Sequence, residues 1–217
     1  METEPFTVHR SIKREVFFMT EKEKMLAGML YDPTDPELVE LRERAHRLSK
    51  EYNDTLETDE DERDRLMGEL LPLAGEGAYF QGPVQFDYGC FTTVGENSYA
   101  NFNFTCLDCA PVSIGANAFI GPNVSLLTPG HPLRWQERNL YLKPDGTMTD
   151  REYARPIIIG DNCWLGGGVT VCGGVTIGEG SVIGAGSVVV KDIPPNVFAA
   201  GNPCRVIREI TEADTVL

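Results

Sequence analysis

The sequence predicts a mainly β protein, a parallel β-helix of hexapeptide repeats with a helical segment in front of it, and three observations carry that reading. From Ile159 an aliphatic residue returns every six positions, at Ile159, Leu165, Val171, Ile177, Ile183 and Val189. Four residues after each stands Cys163, Val169, Val175, Ser181, Ser187 or Ile193, and the gaps are rich in Gly, Asn and Asp. A helix repeats every 3.6 residues and a flat strand every 2, so a period of six belongs to neither. It belongs to a solenoid whose six-residue unit is one short strand plus one turn, each coil stacking on the last. The aliphatic residue points inward, the small residue four later fits a corner, and Gly or Asn supplies left-handed turn conformations.

The same register runs upstream with interruptions. Val94, Ala100 and Cys106 step by six, with partners Ser98, Phe104 and Ala110. After a two-residue slip come Ile114, Ile120 and Leu126, with Ala118 and Val124. The repeat then breaks until Ile157, and a solenoid accommodates such an insertion as a loop leaving one corner. The expected organisation is an N-terminal extension over 1–18, a helical segment over 19–72, and a β-helix over 73–212 with an inserted loop at 128–156.

In the helical segment, Leu38, Leu41, Ala45, Leu48 and Tyr52 alternate steps of three and four and make one apolar face. Asp32 and Asp35 are cap candidates beside Pro33 and Pro36. A second helix is expected from Asp59 to Leu71, its acidic run TLETDEDERDR forming a solvated face near the helix start.

Composition excludes whole function classes. Nineteen Lys and Arg against 33 Asp and Glu give a formal net charge of −14, which argues against nucleic acid or an anionic membrane as partner. With no apolar run of 18 and no signal-peptide pattern, a cytoplasmic protein is expected. Cys106-Leu-Asp-Cys109 is a lone CxxC without a second pair at zinc spacing, so the six cysteines are expected to be reduced structural thiols and no metal is expected. No dinucleotide fingerprint, GxSxG, Walker A or HExxH occurs.

Candidate chemistry gathers at a few places. His131, in TPGHPL on the inserted loop, is the one histidine in or beside the repeat; His9 and His46 lie ahead of it. A histidine on a loop of a rigid scaffold is well placed as a general base. In Tyr99-Ala100-Asn101-Phe102-Asn103 either asparagine could donate to a developing oxyanion, and either could equally be a turn residue. Lys191, Arg205 and Arg208 concentrate positive charge around a Gly/Pro-rich turn, a pattern that suits phosphates or salt bridges to surplus carboxylates. Phe102, Phe119 and Trp164 are expected to face outward, where burial against an identical prism would account for them.

Five segments, KMLAGMLY, YANFNFTCLD, the GHP at His131, IGDNCWLGGGVTVCGGVTIG and KDIPPNVFAAGNPCRVIREI, resemble the maltose and galactoside O-acetyltransferases of the hexapeptide-repeat acyltransferases, in the family's order and over about residues 20–212. The resemblance implies a left-handed β-helix, a homotrimer, and acetyl-CoA as co-substrate in the groove between neighbouring prisms. It implies His131 as catalytic base, Asn101 as transition-state stabiliser, and a sugar acceptor held near Asp32, Asp35, Asp87 and Asp108. Trp164, Gly167, Ala185, Val190, Lys191, Arg205 and Arg208 match the run lining the cofactor channel. Pro33 stands where the galactoside branch has an aspartate, Asp108-Cys109 looks more like the maltose branch, and the 128–156 loop is longer than the family's. A non-sugar hydroxyl acceptor and a non-catalytic scaffold are the alternatives. A γ-class carbonic anhydrase of the same fold needs three histidines per site, and His131 stands alone.

Overall fold

The computed structural model describes residues 19–216; the expected extension over 1–18 lies outside them. From Leu73 the chain winds through three parallel sheets in strict rotation. One sheet stacks Leu73–Ala74, Thr92–Val94, Val112–Ile114, Ile157–Ile159 and Thr176–Ile177. The second stacks Tyr79–Phe80, Tyr99–Ala100, Phe119–Ile120, Trp164–Leu165, Val182–Ile183 and Val197–Ala200, and the antiparallel strand Arg205–Glu209 closes its last edge. Val84–Phe86, Phe104–Leu107, Ser125–Leu127, Thr170–Cys172 and Val188–Val189 form the third. The result is a three-sided prism of about six turns.

Each position of the hexapeptide pattern does what its size dictates. Ile159, Leu165, Val171, Ile177, Ile183 and Val189 are at most 1% exposed, and Cys163, Val169, Val175, Ser181, Ser187 and Ile193 are buried beside them. The corners turn at Asn97, Asn103, Asn117, Asn123, Asn162 and Asn196, whose φ lies between 54° and 59°. Asn tolerates this region better than other residues with a Cβ. Coils approach closely elsewhere: a Cβ on Gly115 would sit 2.5 Å from the Asp161 nitrogen, so only glycine fits there.

Three helices precede the prism: α1 (Glu21–Leu26), α2 (Pro36–Asn53) and α3 (Glu60–Leu70). Helix α1 was not read from hydrophobic period, yet it carries a capping box between Thr20 and Glu23. Asp35 caps α2 with Pro36 in its first turn, and the expected apolar face is buried at Leu38, Ala45, Leu48 and Tyr52. At its C-terminal end Asn53 exchanges hydrogen bonds of 2.8 and 2.7 Å with the Val84 backbone, which seals the exposed edge of the first coil. The acidic run on α3 is solvated at Glu60, Asp61 and Glu62, but Arg63 within it departs from that reading. It is 5% exposed and donates to the Phe80 and Gln81 carbonyls and the Tyr52 hydroxyl, tying α3 to the prism.

The departures from strict period share one corner. Residues 87–91, 108–111 and 128–156 all leave the prism between its third sheet and its first, in successive coils. A second small core fills the space between this corner and the helices, made of Met25, Tyr31, Leu38, Tyr88, Cys109, Ala110 and Ala154. Among the described residues no helix is long and apolar enough to cross a membrane.

Candidate active site

His131 sits where the inserted loop leaves that corner. The loop's stem is a short antiparallel pair, Pro129–Gly130 with Tyr153–Ala154, which holds the histidine's backbone against the prism. Its Nδ1 lies 3.4 Å from Asp150 Oδ2 and 3.4 Å from the Arg151 carbonyl oxygen. Both are acceptors, an arrangement that suits the tautomer with its proton on Nδ1 and the Nε2 lone pair free. These separations exceed a tight hydrogen bond and orient the ring mainly by charge. Glu152 stands beside them, its Oε2 accepting from the Tyr31 hydroxyl at 2.6 Å. Burial, with Cys109 and Glu152 alongside, pushes that hydroxyl well above the usual tyrosine range, so Tyr31 stays a neutral donor. Side-chain donor atoms of His131, Asp150 and Glu152 lie within 4.8 Å of one another, the one such convergence of possible metal-ligand atoms among the described residues. Asp150, Glu152 and Tyr31 were not singled out in the sequence; their meeting depends on the antiparallel bridge between Tyr31 and Glu152.

The four acidic candidates divide. Asp87 remains partly exposed, 3.4 Å from Cys109 Sγ and 3.7 Å from His46 Nε2 on α2. Asp108 does not face the solvent. It is fully buried, and its carboxylate accepts from the Tyr88 amide at 2.8 Å and the Thr92 hydroxyl at 2.9 Å. Burial raises its pKa, and those hydrogen bonds oppose the rise. Its geometry is that of a corner brace that sets the backbone beside Asp87, because a slipped coil leaves buried amides that need an acceptor. Asp35 caps α2 through the Glu37 amide at 3.0 Å. Both Asp32 oxygens are occupied by side chains of the inserted loop and by Thr34.

Asn101 lies elsewhere, at the corner between the second and third sheets. The left-handed turn residue there is Asn103, whose Nδ2 donates to Asn123 Oδ1 at 3.1 Å in the asparagine ladder. Asn101 is outside that ladder. Its Oδ1 accepts from the Phe102 amide at 2.7 Å, which leaves the NH₂ group as a free donor. Gly167 and Ala185 share this corner in later coils, while Val190 and Lys191 follow the third sheet onto the His131 corner. Trp164 is 56% exposed on the second sheet, and with Val182, Phe198 and Arg208 it borders a cavity of ≈ 400 Å³.

The basic cluster is likewise split. Arg208 forms a two-point pair with Asp214 at 2.6 and 2.8 Å. Lys191 and Arg205 have no carboxylate partner among the described residues. Five of the cysteines lack the environment of a nucleophile: burial pushes the thiols of Cys90, Cys106, Cys109, Cys163 and Cys204 upward.

Comparison with known proteins places this geometry. Residues 24–75 match the maltose acetyltransferase hexapeptide capping motif, residues 111–130 a hexapeptide repeat of succinyl-transferase, and residues 156–191 the bacterial transferase hexapeptide of six repeats. The galactoside O-acetyltransferase of Escherichia coli (strain K12) is 45% identical over 192 residues, covering 88% of this chain and 90% of that protein. A crystal structure of a maltose O-acetyltransferase from Clostridium difficile 630 superposes with a TM-score of 0.81 at 44% identity, over 89% of this chain and 99% of that one. A galactoside acetyltransferase in complex with coenzyme A superposes with a TM-score of 0.82 at 44% identity, over 91% and 94% of the two chains.

Proposed function

This chain belongs to the maltose and galactoside O-acetyltransferase family and is an acetyltransferase, and from that premise we propose that it moves the acetyl group of acetyl-CoA onto a sugar hydroxyl with His131 as general base. The observation that carries the reading is the orientation of the His131 ring, with Nδ1 turned to Asp150 and the Arg151 carbonyl and Nε2 left for a hydroxyl proton. In the reaction His131 Nε2 takes that proton as the hydroxyl oxygen attacks the thioester carbonyl. Asp150 offsets the positive charge that forms on the imidazole. The free NH₂ of Asn101 donates to the oxyanion, a contact worth about 3 kcal/mol in comparable sites. Collapse breaks the carbon–sulfur bond, and the leaving thiolate takes the proton back from His131, giving the acetyl ester and free CoA thiol. Direct transfer is favoured over a cysteine acyl-enzyme because burial keeps the cysteines at this corner protonated.

Lys191 and Arg205, without carboxylate partners, suit the phosphates of CoA; Gly167 and Ala185 on the Asn101 corner, with Trp164 on the second sheet, and Val190 on the His131 corner would line the cofactor groove from two edges, and Arg208 contributes less because Asp214 already pairs with it. On the acceptor side Asp87 is the open carboxylate, with Asp108 bracing it.

The placement of Asn101 and His131 gives this reading a further consequence. They emerge at different corners, separated by the third sheet, whose strands of two to four residues at about 3.3 Å each put roughly 10 Å between the corners. Groups that act on one reacting centre must come within about 3 Å of it. A complete site therefore takes His131 from one prism and Asn101 from the next, in a cyclic homotrimer whose groove also covers Phe102, Phe119 and Trp164.

The test is a panel of sugars with acetyl-CoA, read as free thiol. Sugar-dependent thiol release with formation of an acetyl ester is expected. Thiol release that no sugar accelerates would remove the sugar from the account.

A further inference from the structure

The inserted loop does not hang free. Within it Tyr141–Leu142 pairs antiparallel with Met148–Thr149, and the connecting turn is closed from Lys143 N to Thr147 O at 2.8 Å. This hairpin is fastened to the segment between α1 and α2. Lys143 Nζ donates to Asp32 Oδ2 at 2.8 Å and to Thr34 Oγ1 at 3.1 Å. Thr149, fully buried, donates to Asp32 Oδ1 at 2.5 Å, and the Thr34 amide and hydroxyl reach the same oxygen at 2.9 and 2.7 Å. Asp32 is held in turn by its own amide, which donates to Glu21 at 2.8 Å.

One exposed ion pair would hold a loop weakly. Here the two charged side chains are only 21% and 19% exposed, and one carboxylate gathers four donated hydrogen bonds. Burial by itself would raise the Asp32 carboxyl, but the bonds from Lys143, Thr149 and Thr34 outweigh it and hold the group well below the ordinary carboxylate range.

Between the hairpin, α1 and residues 30–32 lies a cavity of ≈ 370 Å³ bordered by Tyr31, Asp32, Tyr141, Lys143 and Arg151. The Arg151 guanidinium stands 4.8 Å over the Tyr141 ring, and the carbonyl of the same residue faces His131. Arg151 thus borders the cavity and also touches the Nδ1 side of His131. Its size is at the small end of ligand cavities, which run from about 300 to 1,000 Å³.

We propose that the Asp32–Lys143 latch determines acceptor specificity: it holds the hairpin as the outer wall of the acceptor subsite beside His131 and sizes that subsite for a small sugar. The inference rests on the acetyl-transfer reading of His131. It assigns Asp32 a positioning role, since both its oxygens are committed and none is left for a hydroxyl.

Lys143→Met in the full chain keeps the length of the side chain and removes its charge; Lys143→Arg keeps the charge. In Lys143→Met the amides of residues 141–149 should exchange with solvent about tenfold faster while those of the prism do not change. The KM for a methyl glycoside should rise about tenfold, with the KM for maltoheptaose and for acetyl-CoA and the kcat within about twofold. Lys143→Arg should restore both readouts. Unchanged exchange overturns the latch. Faster exchange with an unchanged ratio of the two acceptor KM values overturns the specificity role. Absence of any sugar-dependent thiol release in the wild-type protein defeats the functional reading and the specificity role with it, while the exchange measurement still judges the latch.

Discussion

His131 is exposed, and its value lies in which of its two nitrogens is free. Asp150 and the Arg151 carbonyl take Nδ1, so removing the imidazole should remove chemistry and leave donor binding alone. His131→Ala is expected to lower kcat by ~10²–10⁴-fold while acetyl-CoA affinity stays within a few fold, checked by initial rates and equilibrium binding. Activity within tenfold of the wild-type value would take His131 out of the mechanism. On the donor side, Lys191→Ala and Arg205→Ala should raise the acetyl-CoA KM more than the acceptor KM, and Arg208→Ala should do less because Asp214 already occupies that guanidinium. Steady-state kinetics with each substrate varied in turn decides it; a shift confined to the acceptor KM would misplace the phosphates. At this scale the sequence was informative about residue type and less so about partners. The resemblance puts Asp108 beside the acceptor, yet the two-residue slip after Cys106 buries it among amides. Arg63 reads as part of a solvated acidic face, yet it lies under Tyr52 and the first coil. Neither contact has a local signature.

Elements were legible in proportion to how local their causes are. The inward positions of the prism follow from a backbone period, so Ile159 through Val189 could be assigned from spacing alone and all are buried. Helix α2 was legible through its apolar face and its Asp-Pro start, and α1 could have been found from the Thr20 and Glu23 capping box. The hairpin at 141–149 could not: Asp32 and Thr149 are 117 positions apart, and only the folded loop brings them together. The latch also sets an acid limit for this element. Asp32 has its carboxyl lowered in the folded chain, so the stability it supplies is fully present above the unfolded value, near 3.9, and is lost as pH falls toward the folded one. Amide exchange in the hairpin, corrected for the intrinsic pH dependence, is therefore expected to stay level from neutrality to about pH 4.5 and to quicken only below it. Loosening between pH 7 and 5 would mean that some other group holds the loop.

For the whole molecule, the rotation of the three sheets decides which residues can meet within one chain. The acidic corner residues, His131 and Lys191 fall along one edge, while Asn101, Gly167 and Ala185 fall along another. On the proposed reading a second copy completes the site that one prism keeps apart, and three chains of 24.0 kDa make 72.0 kDa. The central claim, a site shared between neighbouring chains with His131 and Asn101 as its two halves, is tested most directly by complementation. His131→Ala and Asn101→Ala chains, each nearly inactive, are unfolded together in equal amounts and refolded. In a cyclic trimer half of the chains supply an intact His131 and half of their neighbours an intact Asn101, so roughly a quarter of the wild-type activity per site should return, in particles near three times the chain mass. A mixture no more active than its two components would contradict the shared site, and so would a fully active wild-type monomer.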